Sequence, residues 1–157
     1  MAGNEPRGLV VWVLGTQRYA LPVACVERVV AAMEVTPLPD APDPVCGVVN
    51  LQGRLVPVVD MRRRLGWPER ELQLSDQLVL ARSARRWLGF FVDAVEGVID
   101  VPSEARISAE TLAAEIGCMA GVAKLADGLI LIHDLERLLS SEQQRQLDDA
   151  LAARVGA

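Results

Sequence analysis

One histidine, three cysteines and a short run of carboxylates are what this chain offers for chemistry. His133 ends the apolar stretch Leu129-Ile130-Leu131-Ile132. A proton shuttle needs an imidazole within reach of water or substrate, so this one reads as a structural residue. Cys25, Cys46 and Cys118 are widely spaced and form no Cys-x-x-Cys pair. With a single histidine they make no zinc ligand set, and they read as reduced core thiols. Asp93, Glu96 and Asp100 lie along one strand-like segment, where solvation accounts for them as well as acid–base work does. No nucleophile sits in a G-x-S-x-G setting, and neither a P-loop nor a G-x-G-x-x-G is present. The expectation is a protein without catalytic residues, metal, cofactor or small-molecule substrate.

The 157 residues are 51% apolar, enough for one domain or two small joined subdomains. A net charge of −5, one tyrosine and two phenylalanines argue against nucleic acid as a partner. Arg62-Arg63-Arg64 is the one basic run, and it reads as the solvated face of a short helix. The first residues lack the apolar core of a signal peptide, and the apolar runs are strand-sized. No membrane insertion and a cytoplasmic location are expected.

The elements that must position any site are duplicated. Residues 121–134, GVAKLADGLILIHD, align without a gap on 47–60, GVVNLQGRLVPVVD, and 88–99 align on 19–30. The repeat units span about 18–66 and 87–139. Strands are expected at 9–14, 19–23, 26–35, 45–51, 54–59, 77–82, 87–92, 94–101, 118–125 and 129–133, with turns at Gln52-Gly53 and Ala126-Asp127-Gly128. Four prolines over 37–44 exclude helix and central strand there. Residues 103–116 read as a loop with a helical turn from Ser108.

Asp60 is placed to cap a short helix over 60–66, with Met61 and Leu65 on one face and Gly66 as its C-terminal stop. Asp134 is placed to cap a second, with Leu135, Leu138 and Leu139 inward. Ser141 and Gln144 read as a capping box opening a helix over 141–154, with Leu147, Ala150 and Leu151 on one face. Residues 1–8 read as a flexible N-terminus. Short strands with turns between them predict barrels or a sandwich.

Residues 47–66 resemble the motif G-x-x-N-L-R-G-x-[IVL]-x-P-[IVL]-x-D-L-R of CheW-like chemotaxis coupling proteins. Gly47, Asn50, Leu51, Gly53, Pro57, Asp60 and Arg62 match it. Gly89, Val92-Asp93 and Val95 resemble a second family segment. Gly121-Val122-Ala123 and the run into Asp134-Leu135-Glu136-Arg137 resemble its C-terminal part. The resemblance covers roughly 9–150 as a single domain. It implies a mostly β fold of two intertwined, pseudo-repeated five-stranded SH3-like β-barrel subdomains around a shared core, with short helices and a C-terminal helix.

The resemblance also implies a non-enzymatic adaptor. Its partners would be the regulatory domain of a CheA-type histidine kinase and the cytoplasmic tip of chemoreceptors, in arrays at the membrane or cell pole. By resemblance, Val26, Arg28, Asn50, Gln52 and Gly53 face the receptor. Gly47, Leu51, Pro57, Asp60, Arg62, Gly66, Gly89, Asp93, Gly121 and Asp134 are its structural motif positions. Two residues depart from the family pattern: Gln52 stands where the family has arginine, and Arg28 where it has glutamate. The charge of the implied receptor surface is thereby altered. Three readings stay open: a specialised pathway such as surface motility, pili or cyclic-di-GMP; an ordinary coupling protein; and a stand-alone SH3-like module binding another signalling or polar-localisation protein.

Overall fold

A computed structural model describes residues 8–108 and 119–155. Runs of β-branched and apolar residues build eleven strands among them. These are β1 (Gly8–Leu14), β2 (Gln17–Pro22), β3 (Val26–Ala31), β4 (Val45–Leu51), β5 (Arg54–Val59), β6 (Gln77–Arg82), β7 (Trp87–Val92), β8 (Ala94–Asp100), β9 (Arg106–Ser108), β10 (Met119–Leu125) and β11 (Gly128–His133). Helix is confined to α1 (Met61–Arg64), α2 (Ser141–Val155) and single 3-10 turns at Val23–Cys25, Ser103–Ala105 and Leu135–Arg137. The valine-rich stretch expected as a strand to residue 35 leaves the sheet after Ala31. The helical turn expected from Ser108, like Cys118, lies outside the described residues, where Ser108 itself closes β9.

The fold is mostly β and comprises two sheets, ordered β8-β1-β2-β11-β10-β9 and β3-β6-β7-β5-β4. Where two five-stranded barrels are expected, the first sheet has six strands and neither ladder closes into a ring among the described residues. The sixth is β9, paired to β10; in the second sheet its place is held by the single bridge Thr36↔Val48. Each sheet mixes both halves of the chain. The β1–β2 hairpin joins β8 to β11, and the β6–β7 hairpin joins β3 to β5. The joins correspond: β11 runs parallel to β2 through Leu131↔Tyr19, and β5 runs parallel to β7 through Val58↔Gly89. Bulges correspond too, with Glu27 and Glu96 unpaired at aligned positions, and likewise Cys46 and Ala120.

Strand alternation sends one face of each sheet to its own core and the other to a shared one. Leu9, Val11, Ala20, Ala123, Ile130 and Ile132 pack together inside the first sheet. Val49, Val56, Val58, Leu78 and Leu80 do so inside the second. A cluster drawn from one face of one sheet requires that sheet to curl around it. Between the sheets lie Trp12, Tyr19, Val79, Leu88 and Phe90, joined by Leu135, Leu138 and Leu139. Trp12 and Phe90 meet at 5.2 Å between ring centroids. Leu147 and Ala150 of α2 close this shared core, with Leu151 packed at its edge.

The helix ends follow the expected logic with one shift. Asp60 Oδ1 accepts from Arg63 N at 3.2 Å, and Asp134 Oδ1 from Glu136 N at 3.1 Å. After α1, Gly66 N donates to Arg63 O and Trp67 N to Arg62 O, a Schellman closure that needs the φ of +76° at Gly66. The capping box of α2 is formed by Ser140 and Gln143, one residue earlier than expected. Ser140 N donates to Gln143 Oε1 at 2.8 Å and Gln143 N to Ser140 Oγ at 3.1 Å.

Candidate protein-interaction site

The hairpin joining β4 to β5 turns on Gln52 (φ +54°) and Gly53 (φ +88°). Two successive left-handed residues match the twist of the flanking strands. Asn50 Oδ1 accepts from Gly53 N at 2.9 Å and holds the turn closed. Asn50 and Gly53 therefore shape the loop, and Gln52 is displayed at its tip. Across the sheet the Glu27 bulge falls between the pairs Val26↔Ala81 and Arg28↔Leu80. It leaves both Glu27 and Arg28 exposed, while Val26 lies half-buried against the shared core.

Arg28 and Gln52 meet on one groove of about 340 Å³ at the end of the second sheet's core. Its floor is Leu51, Val56, Leu80 and Trp87, and its rim is Glu27, Arg28, Gln52 and Arg54. The Arg54 guanidinium lies over the Trp87 ring, 4.4 Å from its centroid. Of the receptor-facing residues expected from sequence, Arg28 and Gln52 line this groove; Val26 does not. Glu27, Arg54 and Trp87 were not anticipated, although an aromatic opening a strand beside the basic turn at 84–86 is a usable signal.

Two of the glycines expected as structural motif positions lie where a side chain would be crowded. A Cβ on Gly47 would fall 2.4 Å from Thr36 O, at the bridge that edges the second sheet. Gly89 allows close approach of Leu78, whose Cδ1 would be 3.1 Å from a Cβ there. Pro57 and Gly121 are buried within β5 and β10, and Leu51 packs at the rim of the second sheet's core.

The arginines of α1 are not a solvated face. Arg62 pairs with Asp93, Arg63 with Asp43 and Glu69, and Arg64 Nε donates to Leu138 O at 2.9 Å. Nor are the carboxylates of the β7–β8 segment all simply solvated: Asp93 accepts from Gly15 N, Arg62 and Arg70, and Glu96 pairs with Arg18 at 2.7 Å. Burial alone would raise the Asp93 carboxyl. The Gly15 N–H and the two guanidinium groups outweigh it and hold the group below the usual carboxylate range.

A second cleft, about 390 Å³, lies between Val35, Cys46, Leu72 and Phe91 beside the Arg62–Asp93–Arg70–Asp76 chain of ion pairs. Cys46 lines this cleft with Asp60 and Asp76, but its Sγ–H donates to Val58 O at 3.4 Å rather than to a carboxylate. His133 is buried, stacked on Tyr19 at 4.9 Å and Trp12 at 5.9 Å, with no hydrogen-bond partner at either ring nitrogen among the described residues. Burial, with some repulsion from Arg64, lowers its pKa to about 4. Burial pushes the half-buried Cys25 and Cys46 thiols up, away from thiolate chemistry. Among the described residues no group of three or more His, Cys, Asp or Glu could hold a metal ion. No helix among them is long and apolar enough to cross a membrane.

Two curled sheets that share a core and carry open surface grooves define a β-built class of fold. The family model described as "CheW-like domain" matches residues 8–143, and the chain belongs to the CheW-like family. Members are non-enzymatic scaffold adaptors. The chain is 28% identical to the chemotaxis protein CheW of Klebsiella aerogenes over 144 residues, covering 89% of this chain and 86% of that one. It is 30% identical to the CheW of Thermotoga maritima over 124 residues, 78% of this chain and 81% of that one. The crystal structure of the scaffolding protein TtCheW from Thermoanaerobacter tengcongensis superposes with a TM-score of 0.79 at 26% identity, over 88% of this chain and 96% of that one.

Proposed function

We propose that this chain joins the regulatory domain of a CheA-type histidine kinase to the cytoplasmic tip of chemoreceptors. It would work in the cytoplasm, at receptor arrays near the membrane or pole. The observation that carries this reading is the open groove beside the Gln52 turn in a fold of the CheW-like family. Arg28 and Gln52 meet the receptor, Asn50 and Gly53 set the turn that presents Gln52, and Val26 steadies the strand from the core side. A protein with two separate binding faces raises the effective concentration of kinase at the receptor. It transmits signal when both faces favour the same state of the complex.

The test is a calorimetric titration against the kinase regulatory domain encoded in the same genome. Saturable one-to-one binding is expected. No binding to any such kinase domain overturns the adaptor reading and leaves the stand-alone interaction module.

A second reading concerns pathway. Gln52 cannot make the forked charged contact of an arginine, and Arg28 reverses the sign of its position. Both favour a specialised receptor or output over a conventional one. Installing Gln52→Arg with Arg28→Glu is expected to strengthen binding to a conventional receptor tip; unchanged affinity removes this reading.

A further inference from the structure

The duplicated fold contains its own control for the groove. Under the alignment of the two halves, Trp87 corresponds to Arg18, Glu27 to Glu96, Arg28 to Gly97, Gly53 to Asp127 and Arg54 to Gly128. In the first sheet, that end is tied by ion pairs: Arg18 Nε reaches Glu96 at 2.7 Å and Arg18 Nη1 reaches Asp127 at 3.3 Å. In the second sheet the same end lacks such a tie. The aligned arginine has become Trp87, the aligned aspartate Gly53, and two arginines absent from the other end line the groove. Among the described residues neither Arg28 nor Arg54 has a carboxylate within 4.0 Å. The rim carries two guanidinium groups against the single carboxylate of Glu27, in a chain of net charge −5.

We propose that this groove selects an acidic helical segment, with its carboxylates on Arg28 and Arg54 and an aliphatic side chain toward Leu51 and Trp87. The proposal rests on the reading above that a receptor helix docks here, and it states the chemistry that helix must carry. Trp87 is the positioning residue. The Arg54 guanidinium carbon lies 4.4 Å from the indole centroid, and the cation–π attraction holds the group beside the ring. The in-plane N–H groups of Arg54 are left for a forked contact with a carboxylate. Arg28 rises from β3 and Arg54 from β5, with β6 and β7 between them. Both guanidinium groups line the one groove, from different strands of the sheet. The neutral Gln52 at the turn can hydrogen-bond to the helix without adding charge.

The experiment uses two soluble antiparallel helical hairpins that differ only in their exposed face, one carrying glutamates and the other lysines at the same positions. Each is titrated into the full chain. The glutamate hairpin is expected to bind saturably, and its affinity to fall steeply between 50 and 200 mM salt. Arg28→Glu and Arg54→Glu are each expected to weaken it by about tenfold or more, in line with a lost charge-assisted bond. Trp87→Leu is expected to weaken it as well, and Arg54→Ala added to Trp87→Leu to weaken it no further, the mark of one coupled unit. The circular dichroism of every variant is compared with that of the parent. Lysine-hairpin binding of equal strength, unchanged affinity in folded Arg28→Glu and Arg54→Glu variants, or no binding of either hairpin overturns the proposal. Kinase-domain binding is measured on the same samples. It separates failure of this site chemistry from failure of the adaptor reading.

Discussion

Arg62 donates to both carboxylate oxygens of Asp93, at 2.9 and 3.2 Å, and so ties the helix after the first repeat's motif to the end of β7 in the second. Arg70 bridges the same aspartate, at 2.6 Å, to the buried Asp76, at 2.9 Å. Gly15 N donates to Asp93 at 2.8 Å from the β1–β2 turn. Two motif positions far apart in the chain are thus one contact, and it pins both hairpins to α1.

Asp93→Asn is therefore expected to destabilise the fold by about 2 kcal/mol, the usual scale for hydrogen bonds to a charged group. Its folded pKa lies below the ordinary carboxylate value, so the contribution is present above about pH 4 and is lost as pH falls through the lower folded value. Urea denaturation should show a constant gap between wild type and variant from pH 5 to 8. That gap should shrink only below pH 4. A gap already closing at pH 6 would mean another group carries the effect.

His133 acts in a different window. Its folded pKa of about 4 lies below the unfolded value of about 6.5, so the unfolded chain binds the proton first. Stability is whole above pH 6.5 and declines as pH falls toward 4. At about 1.4 kcal/mol per pH unit the loss is on the order of 3 kcal/mol. His133→Phe keeps a ring between Tyr19 and Trp12 and removes both unpartnered nitrogens. Unfolding free energies at pH 7, 6 and 5 should flatten in this variant, and an unchanged slope would assign the pH dependence elsewhere.

Strands β4, β5, β6 and β7 were legible to the residue because turn residues bracket clean apolar runs: Gln52-Gly53 between one pair and 83–86 between the other. The duplication was legible as matched residues. Which hairpin joins which sheet was not, because similarity states what is equivalent and not what is adjacent. The arginines of α1 looked solvated for the same reason: Asp43, Asp93 and Leu138 are distant in sequence. The capping box slipped by one because serine and glutamine are both doubled, at 140–141 and 143–144, and only the three-dimensional path chooses between them. Arg28 and Gln52 came from family likeness. Arg54 and Trp87 meet only because β5 and β7 run side by side.

Gly47 has no room for a side chain. A Cβ would lie 2.4 Å from Thr36 O and 2.7 Å from Val35 Cγ1, and the bridge Thr36↔Val48 fixes Thr36 with two 2.8 Å hydrogen bonds, Val48 N donating to Thr36 O and Thr36 N to Val48 O. Backbone cannot yield as a flexible side chain can. Gly47→Ala is expected to cost about 3 kcal/mol or more, whereas Gly53→Ala meets no atoms and suffers only the strain of its φ of +88°. Thermal melts of the two variants should differ by several degrees; equal melting temperatures would show that the edge at Thr36 is free to move.

The two aspartate caps offer a smaller effect. Asp60→Ala and Asp134→Ala each remove one carboxylate–backbone bond at the start of a turn. Each is expected to cost about 1 kcal/mol, and the pair to add, since the sites share no partner. A double variant losing much more than the singles together would reveal coupling through Arg64, which reaches from α1 to Leu138 O beside the second cap.

Helix α2 seals the shared core with one face and leaves the other exposed. Leu147 is fully buried and Ala150 nearly so, against the cluster that holds Trp12 and Phe90. Arg86 anchors the same helix to the β6–β7 turn, donating to Gln144 Oε1 at 3.0 Å and pairing with Asp148. The groove lies at the end of the second sheet's separate core, among Leu51, Leu80 and Trp87. Loss of helix packing should therefore lower stability without reshaping the groove. Leu147→Ala is expected to cost about 3 kcal/mol through the cavity it leaves. Binding of the glutamate hairpin, measured well below the variant's melting temperature, is expected to stay within about twofold of wild type. A large loss of binding in a folded Leu147→Ala protein would show that the two cores move together, and that a partner at the groove senses the packing of α2.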